Sequence, residues 1–186
     1  MSKGNLFVIS GASGVGKGTV LARVMQHRDD LKFSVSATTR PPRPSEVNGR
    51  EYYFLDRQQF EDMIRRGEFL EYDEHADHYY GTPRAQAEEK METGHVLLDI
   101  EPNGAAAVRA SMPGATLIFI MPPSMEELER RLRARGDTSE DQITKRMKRA
   151  IWEMEQRGWY DYVVVNDSVE RCAEEILNII AQKTQE

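Results

Sequence analysis

The residues best equipped for chemistry lie near the start of the chain, in the run Gly11-Ala12-Ser13-Gly14-Val15-Gly16-Lys17-Gly18-Thr19. Glycines at this spacing let the backbone curl until several N–H groups aim at one point, where phosphate oxygens can accept from them. Lys17 adds a charge that can reach terminal phosphates. A strand-like run, Leu6–Ser10, comes before the loop, and a helical pattern through Thr19, Val20, Leu21, Val24 and Met25 follows it. The N-terminus of that helix adds a dipole that favours anions. Strand, glycine loop and helix form the context in which the pattern G-x-x-x-x-G-K-S/T has a nucleotide-binding mechanism. Here Gly18 stands where the strict pattern has a hydroxyl, and Thr19 comes one place later. That departure leaves the phosphate cradle intact and weakens the case for a direct hydroxyl–magnesium contact. The plain alternative is a glycine-rich turn with an incidental lysine, which context and spacing disfavour.

A second anion site is suggested by Arg40 and Arg43, three residues apart in a loop stiffened by Pro41, Pro42 and Pro44. A guanidinium fork matches phosphate oxygens, and proline lowers the entropy lost on ordering the loop. Surface loops of this composition are common, so the pair carries little weight alone.

The elements that must position these residues follow a strand–helix alternation. Five β-rich runs, Leu6–Ser10, Phe33–Ser36, Val96–Ile100, Thr116–Met121 and Tyr162–Val165, are mostly continuous apolar stretches, as in a parallel sheet covered on both faces. Capping boxes are expected at Ser124 with Glu127 and at Asp137 with Glu140, and an N-cap at Thr82 with Pro83 in the first helical position. The pattern predicts an α/β doubly wound fold. Residues 37–88, rich in proline and aromatics, read as a small lobe inserted into a discontinuous core of 1–36 and 89–186, and 126–147 form a lid region within that core.

Composition narrows the classes of function. A formal net charge of −6 argues against a general nucleic-acid binder. No apolar run approaches the roughly 20 residues of a membrane helix, and the start leads almost directly into a strand, so no signal peptide is expected. The single cysteine, Cys172, excludes an internal disulfide framework and suits the cytoplasm. The histidines show no metal-ligand spacing.

The ordered motifs SVSATTRPPRPSEVNGREYYF, FLEYDEHADHYYGTP, RARGDTSEDQITKRM and YDYVVVND, together with the phosphate loop, resemble guanylate kinases over nearly the whole chain. The resemblance implies that Arg40, Arg43, Tyr52 and Tyr80 hold the GMP phosphate and that Ser36, Glu71 and Thr82 read the base. It implies that Gly11 to Thr19 and Asn166 bind ATP. It also implies that Arg131, Arg135 and Arg146 join Lys17, Arg40 and Arg43 in stabilising the transferring phosphoryl group. In DIEPNG, Asp99 and Gly104 match the family's D-I-D-x-Q-G, whereas Glu101 and Asn103 depart from it; Glu101 keeps the charge expected to meet the guanine amino group. Thr19 and Asp99 are read as magnesium contacts through water, with Mg2+ entering alongside ATP. A homodimer is implied as well, with no interface identifiable.

The chemistry agrees with that assignment. Guanine offers N–H donors at N1 and N2 and acceptors at O6 and N7, so Glu71 can accept while Ser36 and Thr82 donate. Adenine lacks those donors and would leave the carboxylate unpaired. The sequence alone does not separate Glu71 from its neighbours Glu68, Asp73 and Glu74. A phosphate monoester is mostly dianionic at neutral pH, so no catalytic base is sought. Alignment, charge stabilisation and exclusion of water by closing lobes are the expected devices. Two rival readings are a non-catalytic guanylate-kinase-like interaction module and a kinase for another nucleoside monophosphate. Retention of Gly11, Gly14, Gly16 and Lys17 counts against the first.

Overall fold

A computed structural model of the chain describes residues 3–75, 77–134 and 139–185. In chain order the elements are β1 (Leu6–Gly11), α1 (Lys17–Met25), β2 (Leu31–Phe33), β3 (Ser36–Thr38), β4 (Tyr52–Phe54) and α2 (Arg57–Arg65). They continue with β5 (Phe69–His75), β6 (His78–Pro83), α3 (Arg84–Met91), β7 (His95–Asp99), α4 (Pro102–Ser111) and β8 (Thr116–Met121). The chain closes with α5 (Met125–Ala134), α6 (Glu140–Glu155), a 3-10 turn (Gln156–Trp159), β9 (Tyr162–Val165) and α7 (Val169–Gln185).

A five-stranded sheet has the order β2-β7-β1-β8-β9, and β2–β7, β1–β8 and β8–β9 pair in parallel. Its strands are the apolar runs of the sequence. Phe7, Val8 and Ile9 of β1 and Leu117, Ile118, Phe119 and Ile120 of β8 are fully buried. Each such side chain contributes about 1.5–3 kcal/mol relative to exposure. A second sheet of four strands has the order β4-β3-β6-β5, with β3 parallel to β4 and antiparallel to β6.

Local chemistry moves several predicted boundaries. The run Phe33–Ser36 is divided between two sheets: Phe33 pairs with Leu97, whereas Ser36 pairs with Tyr52. Thr82 does not cap α3. Pro83 is the N-cap, because the Thr82 hydroxyl is bonded to Glu71 instead. Helix α6 is capped by Ser139 and Gln142, which exchange both bonds of a capping box; Asp137 lies outside the described residues. Ser124 accepts from the Glu127 N–H, one half of the expected box, whereas the Glu127 carboxylate turns to Arg130 and Arg131 instead. Trp152 and Trp159 are exposed at 41% and 37%, with the Trp159 ring stacked on Tyr160.

The chain divides into two compact units. The first comprises Asp30–Leu98 and Asn103–Ala115 with the first residues up to Leu6, and includes all of 37–88. Its small sheet packs Ala37, Phe60 and Phe69 with Tyr53, Leu55, Met63, Ile64 and Tyr79. The second comprises Phe7–Asp29, Asp99–Pro102 and Thr116–Glu186. Among the described residues, no helix is long and apolar enough to cross a membrane.

Candidate active site

In the second unit the loop between β1 and α1 takes a conformation that its glycines permit. Gly14 and Gly16 lie at φ 86° and 92°, a region that strains other residues. A Cβ on Gly14 would lie 2.5 Å from Leu132 Cδ2. The loop is tied down on the side facing the protein. Val15 N–H donates to the Ala12 carbonyl at 3.0 Å, while the Val15 carbonyl accepts from Asn166 Nδ2 at 2.8 Å and from Arg131 Nη1 at 3.1 Å. Ser13 N–H donates to Oε2 of Glu153 at 2.7 Å. The N–H groups of Gly14 and Gly16 have no hydrogen-bond partner among the described residues, and those of Lys17 and Gly18 belong to the open first turn of α1. Donors of this kind on a glycine turn form a cradle for phosphate oxygens.

Lys17 lies in the first turn of α1 and is paired with Asp99 at 2.5 Å. Arg131, half-buried on α5, donates Nε to Glu127 at 2.7 Å and Nη2 to the Asn166 carbonyl at 3.0 Å. The guanidiniums of Arg130 and Arg131 hold the Glu127 carboxyl down at about 2. Asn166 is buried, and its Oδ1 has no hydrogen-bond partner among the described residues. Arg146 is half-buried on α6, one turn from Arg149, and Arg149 pairs with both Glu101 and Glu153. Glu101 is exposed and Thr19 is exposed. Arg135 lies outside the described residues.

The first unit holds the other group. Tyr52 and Tyr80 alternate with Tyr53 and Tyr79; the latter pair packs on the core of the small sheet, so the former occupy the opposite face. The Tyr52 and Tyr80 rings stand 6.1 Å apart, and the Arg40 guanidinium sits 5.5 Å from the centre of the Tyr52 ring. Arg40 is oriented by Glu46 at 2.8 Å, and the other oxygen of Glu46 accepts from the Arg43 backbone at 2.7 Å. Bonding to Arg40 is the main cause that lowers the Glu46 pKa. Thr38 anchors the start of this loop, accepting from the Arg40 N–H at 3.1 Å. The Arg43 side chain is exposed and Ser36 is half-buried.

Of the four acids near Glu71, burial singles out one. Glu71 is 7% exposed, whereas Asp73 and Glu74 lie on the surface and Glu68 pairs with Arg66. Glu71 and Thr82 are cross-strand partners in β5 and β6, and the Thr82 hydroxyl donates to Glu71 Oε1 at 2.5 Å. Glu71 Oε2 lies against Gly104 in the first turn of α4, where a Cβ would come within 2.7 Å of it.

The sequence reading did not single out Glu46, Arg149 or Glu153. Glu153 follows Arg149 by four residues on α6, a helical pairing that could have drawn attention to it. Its bond to Ser13 spans 140 residues and left no local signal.

Residues 3–183 match the family model described as guanylate kinase. A guanylate kinase of Thermus thermophilus is 51% identical over 179 residues, covering 96% of this chain and 81% of that protein. The crystal structure of guanylate kinase from Anaplasma phagocytophilum is similar with a TM-score of 0.78 and 35% identity, covering 100% of this chain and 88% of that one. The SH3-kinase fragment of tight junction protein 3 gives a TM-score of 0.52 at 13% identity, covering 99% of this chain and 59% of that one. At that identity the likeness shows the fold alone.

Proposed function

The chain belongs to the guanylate kinase family, and from that premise we propose that it transfers the γ-phosphoryl group of MgATP to GMP or dGMP, giving ADP and GDP or dGDP. The observation that carries the choice of base is the buried Glu71 carboxylate, bonded by Thr82 and backed by Gly104. A buried carboxylate rejects a base that lacks guanine's adjacent N1–H and N2–H donors, because it would lose those bonds while staying desolvated.

Glu71, Thr82 and Ser36 read guanine, and Glu101 meets its amino group. Arg40 and Arg43 neutralise the acceptor phosphate, with Tyr52 and Tyr80 beside it. The open N–H groups after Ser13 and the Lys17 ammonium hold the phosphates of ATP. Asn166 serves the ATP site by fixing the Val15 carbonyl. Arg131 and Arg146, with Arg135, supply positive charge to the phosphoryl group in transit. The acceptor is already dianionic at neutral pH, so the residues act by alignment and electrostatics rather than by proton removal.

Magnesium arrives as part of the MgATP substrate, where it neutralises charge on the bridging phosphates. Oxygens of Asp99 and Thr19 would meet it through water, hard donors that suit an ion which keeps several waters. Asp99 at the end of β7 already stands beside Lys17. No group of three or more His, Cys, Asp or Glu able to hold a metal stands among the described residues. The cytoplasm is the compartment that best suits a free, buried Cys172, and family membership favours a homodimer.

ADP formation is to be measured with MgATP and, separately, GMP, AMP, CMP and UMP. Turnover with GMP alone is expected. Equal rates with AMP would remove the guanine pocket and leave the kinase, and absence of turnover with all of them would remove the activity.

A further inference from the structure

Glu153 is the buried charge that the reaction does not use. It lies on α6 with only 2% of its surface exposed, and both of its oxygens are engaged. Oε2 accepts from the Ser13 N–H of the phosphate loop at 2.7 Å, and Oε1 accepts from Arg149 Nε at 3.0 Å. The far side of the Arg149 guanidinium reaches Glu101, just past the end of the strand that carries Asp99. A buried carboxylate without a partner would be expensive to keep, whereas one bonded to a guanidinium and a backbone N–H is compensated and fixed in one orientation.

The position of Ser13 in the loop gives this bond its consequence. Ser13 immediately precedes Gly14, the first glycine with a left-handed φ. Two neighbouring backbone groups are also held: Ala12 accepts from Val15, and the Val15 carbonyl is clamped by Asn166 and Arg131. The Ser13 N–H is a further held group of the bend, and its anchor comes from α6. Without that anchor the Ala12–Ser13 peptide, which carries both the Ser13 N–H and the Ala12 carbonyl, would be held by the Val15 bond alone, and the N–H groups that follow would be less firmly aimed.

We propose that Glu153 is a positioning residue for the phosphate loop, acting through the Ser13 N–H, and that Arg149, braced on Glu101, keeps its carboxylate aimed. The proposal rests on the reading of this loop as the ATP site. It predicts that the cost of losing Glu153 falls on ATP rather than on GMP, and that a neutral acceptor of the same shape recovers most of the loss.

The experiment uses the full chain and compares wild type, Glu153→Ala, Glu153→Gln and Arg149→Met. KM is determined for ATP and GMP separately, and MgATP affinity is measured by calorimetry without GMP. Glu153→Ala is expected to raise the KM and Kd for ATP by about tenfold or more, the usual scale for a charged hydrogen bond, with the KM for GMP within about twofold. Glu153→Gln, whose amide oxygen still accepts from Ser13, is expected to return most of the way to wild type. Arg149→Met, at a half-exposed site, is expected to raise the KM for ATP about threefold even if Glu153→Ala does not fold. Equal ATP affinity in Glu153→Ala and Glu153→Gln, parallel losses for both substrates, or an unchanged ATP affinity in folded Arg149→Met would each overturn the proposal. Failure of the wild type to bind MgATP would remove the site assignment and the proposal together, whereas wild-type binding with unaffected variants removes the proposal alone.

Discussion

The hydroxyl of Thr82 donates to Oε1 of Glu71 across the β5–β6 pair at 2.5 Å, and this bond explains two features at once. It fixes the one buried acid of its neighbourhood, and it removes Thr82 from the helix cap that its sequence suggested. Its other oxygen, Oε2, lies beside Gly104 in the first turn of α4.

Replacing Glu71 with glutamine keeps the shape and introduces an amide N–H that would face the guanine donors. Loss of about 100-fold or more in kcat/KM for GMP is expected, with the KM for ATP little changed, since polar sites reject mismatched partners on this scale. Initial-rate kinetics with each substrate varied in turn would measure it. Unchanged GMP kinetics would refute the pocket.

A methyl group on Gly104 would come within 2.7 Å of Glu71 Oε2. Gly104→Ala is therefore expected to displace the carboxylate and lower kcat/KM for GMP at least tenfold. Overpacking of a buried contact costs about 1–3 kcal/mol of stability. Thermal unfolding alongside GMP kinetics separates the two effects, and wild-type values in both would place Glu71 elsewhere.

Asn166→Ala removes the 2.8 Å bond to the Val15 carbonyl and leaves Arg131 as its remaining side-chain donor. A fall of about 1–3 kcal/mol in stability is expected for a broken buried hydrogen bond, with weaker MgATP binding and an unaltered KM for GMP. Denaturant titration and calorimetry would report these.

Burial pushes the Cys172 thiol up to about 12. A thiol in the unfolded chain loses its proton near pH 8.5, so the unfolded state ionises first. The thiol's contribution to stability is whole below that pH and declines as pH rises towards 12. Tyr160, also raised to about 12 by burial, adds to the same alkaline loss. Urea unfolding at pH 7.5 and pH 10 should show a smaller alkaline loss for Cys172→Ala than for wild type. Equal losses would mean that the thiol is solvated.

Some of this was legible in the residues themselves. The run from Gly11 to Thr19 announces its loop because the signals are local: glycines for left-handed turns, an apolar strand before and an amphipathic helix after. The strands β1 and β8 were equally plain, since a strand buried on both faces must be apolar along its length. Boundaries failed where a side chain had a better partner at a distance. Phe33 and Ser36 read as one strand, yet they pair with Leu97 and Tyr52 in different sheets.

Sequence by itself determined the fold class, the glycine loop between β1 and α1 and, through the ordered motifs, the family. Tertiary structure alone decided which acid is buried. Glu68, Glu71, Asp73 and Glu74 are chemically alike in the chain, and only the pairing of β5 with β6 and the approach of α4 set Glu71 apart. It also decided the partner of Glu153, whose bond to Ser13 joins residues 140 positions apart. Propensity and periodicity act over a few residues, whereas desolvation of a charge depends on everything packed around it, and that environment exists only once the chain has folded.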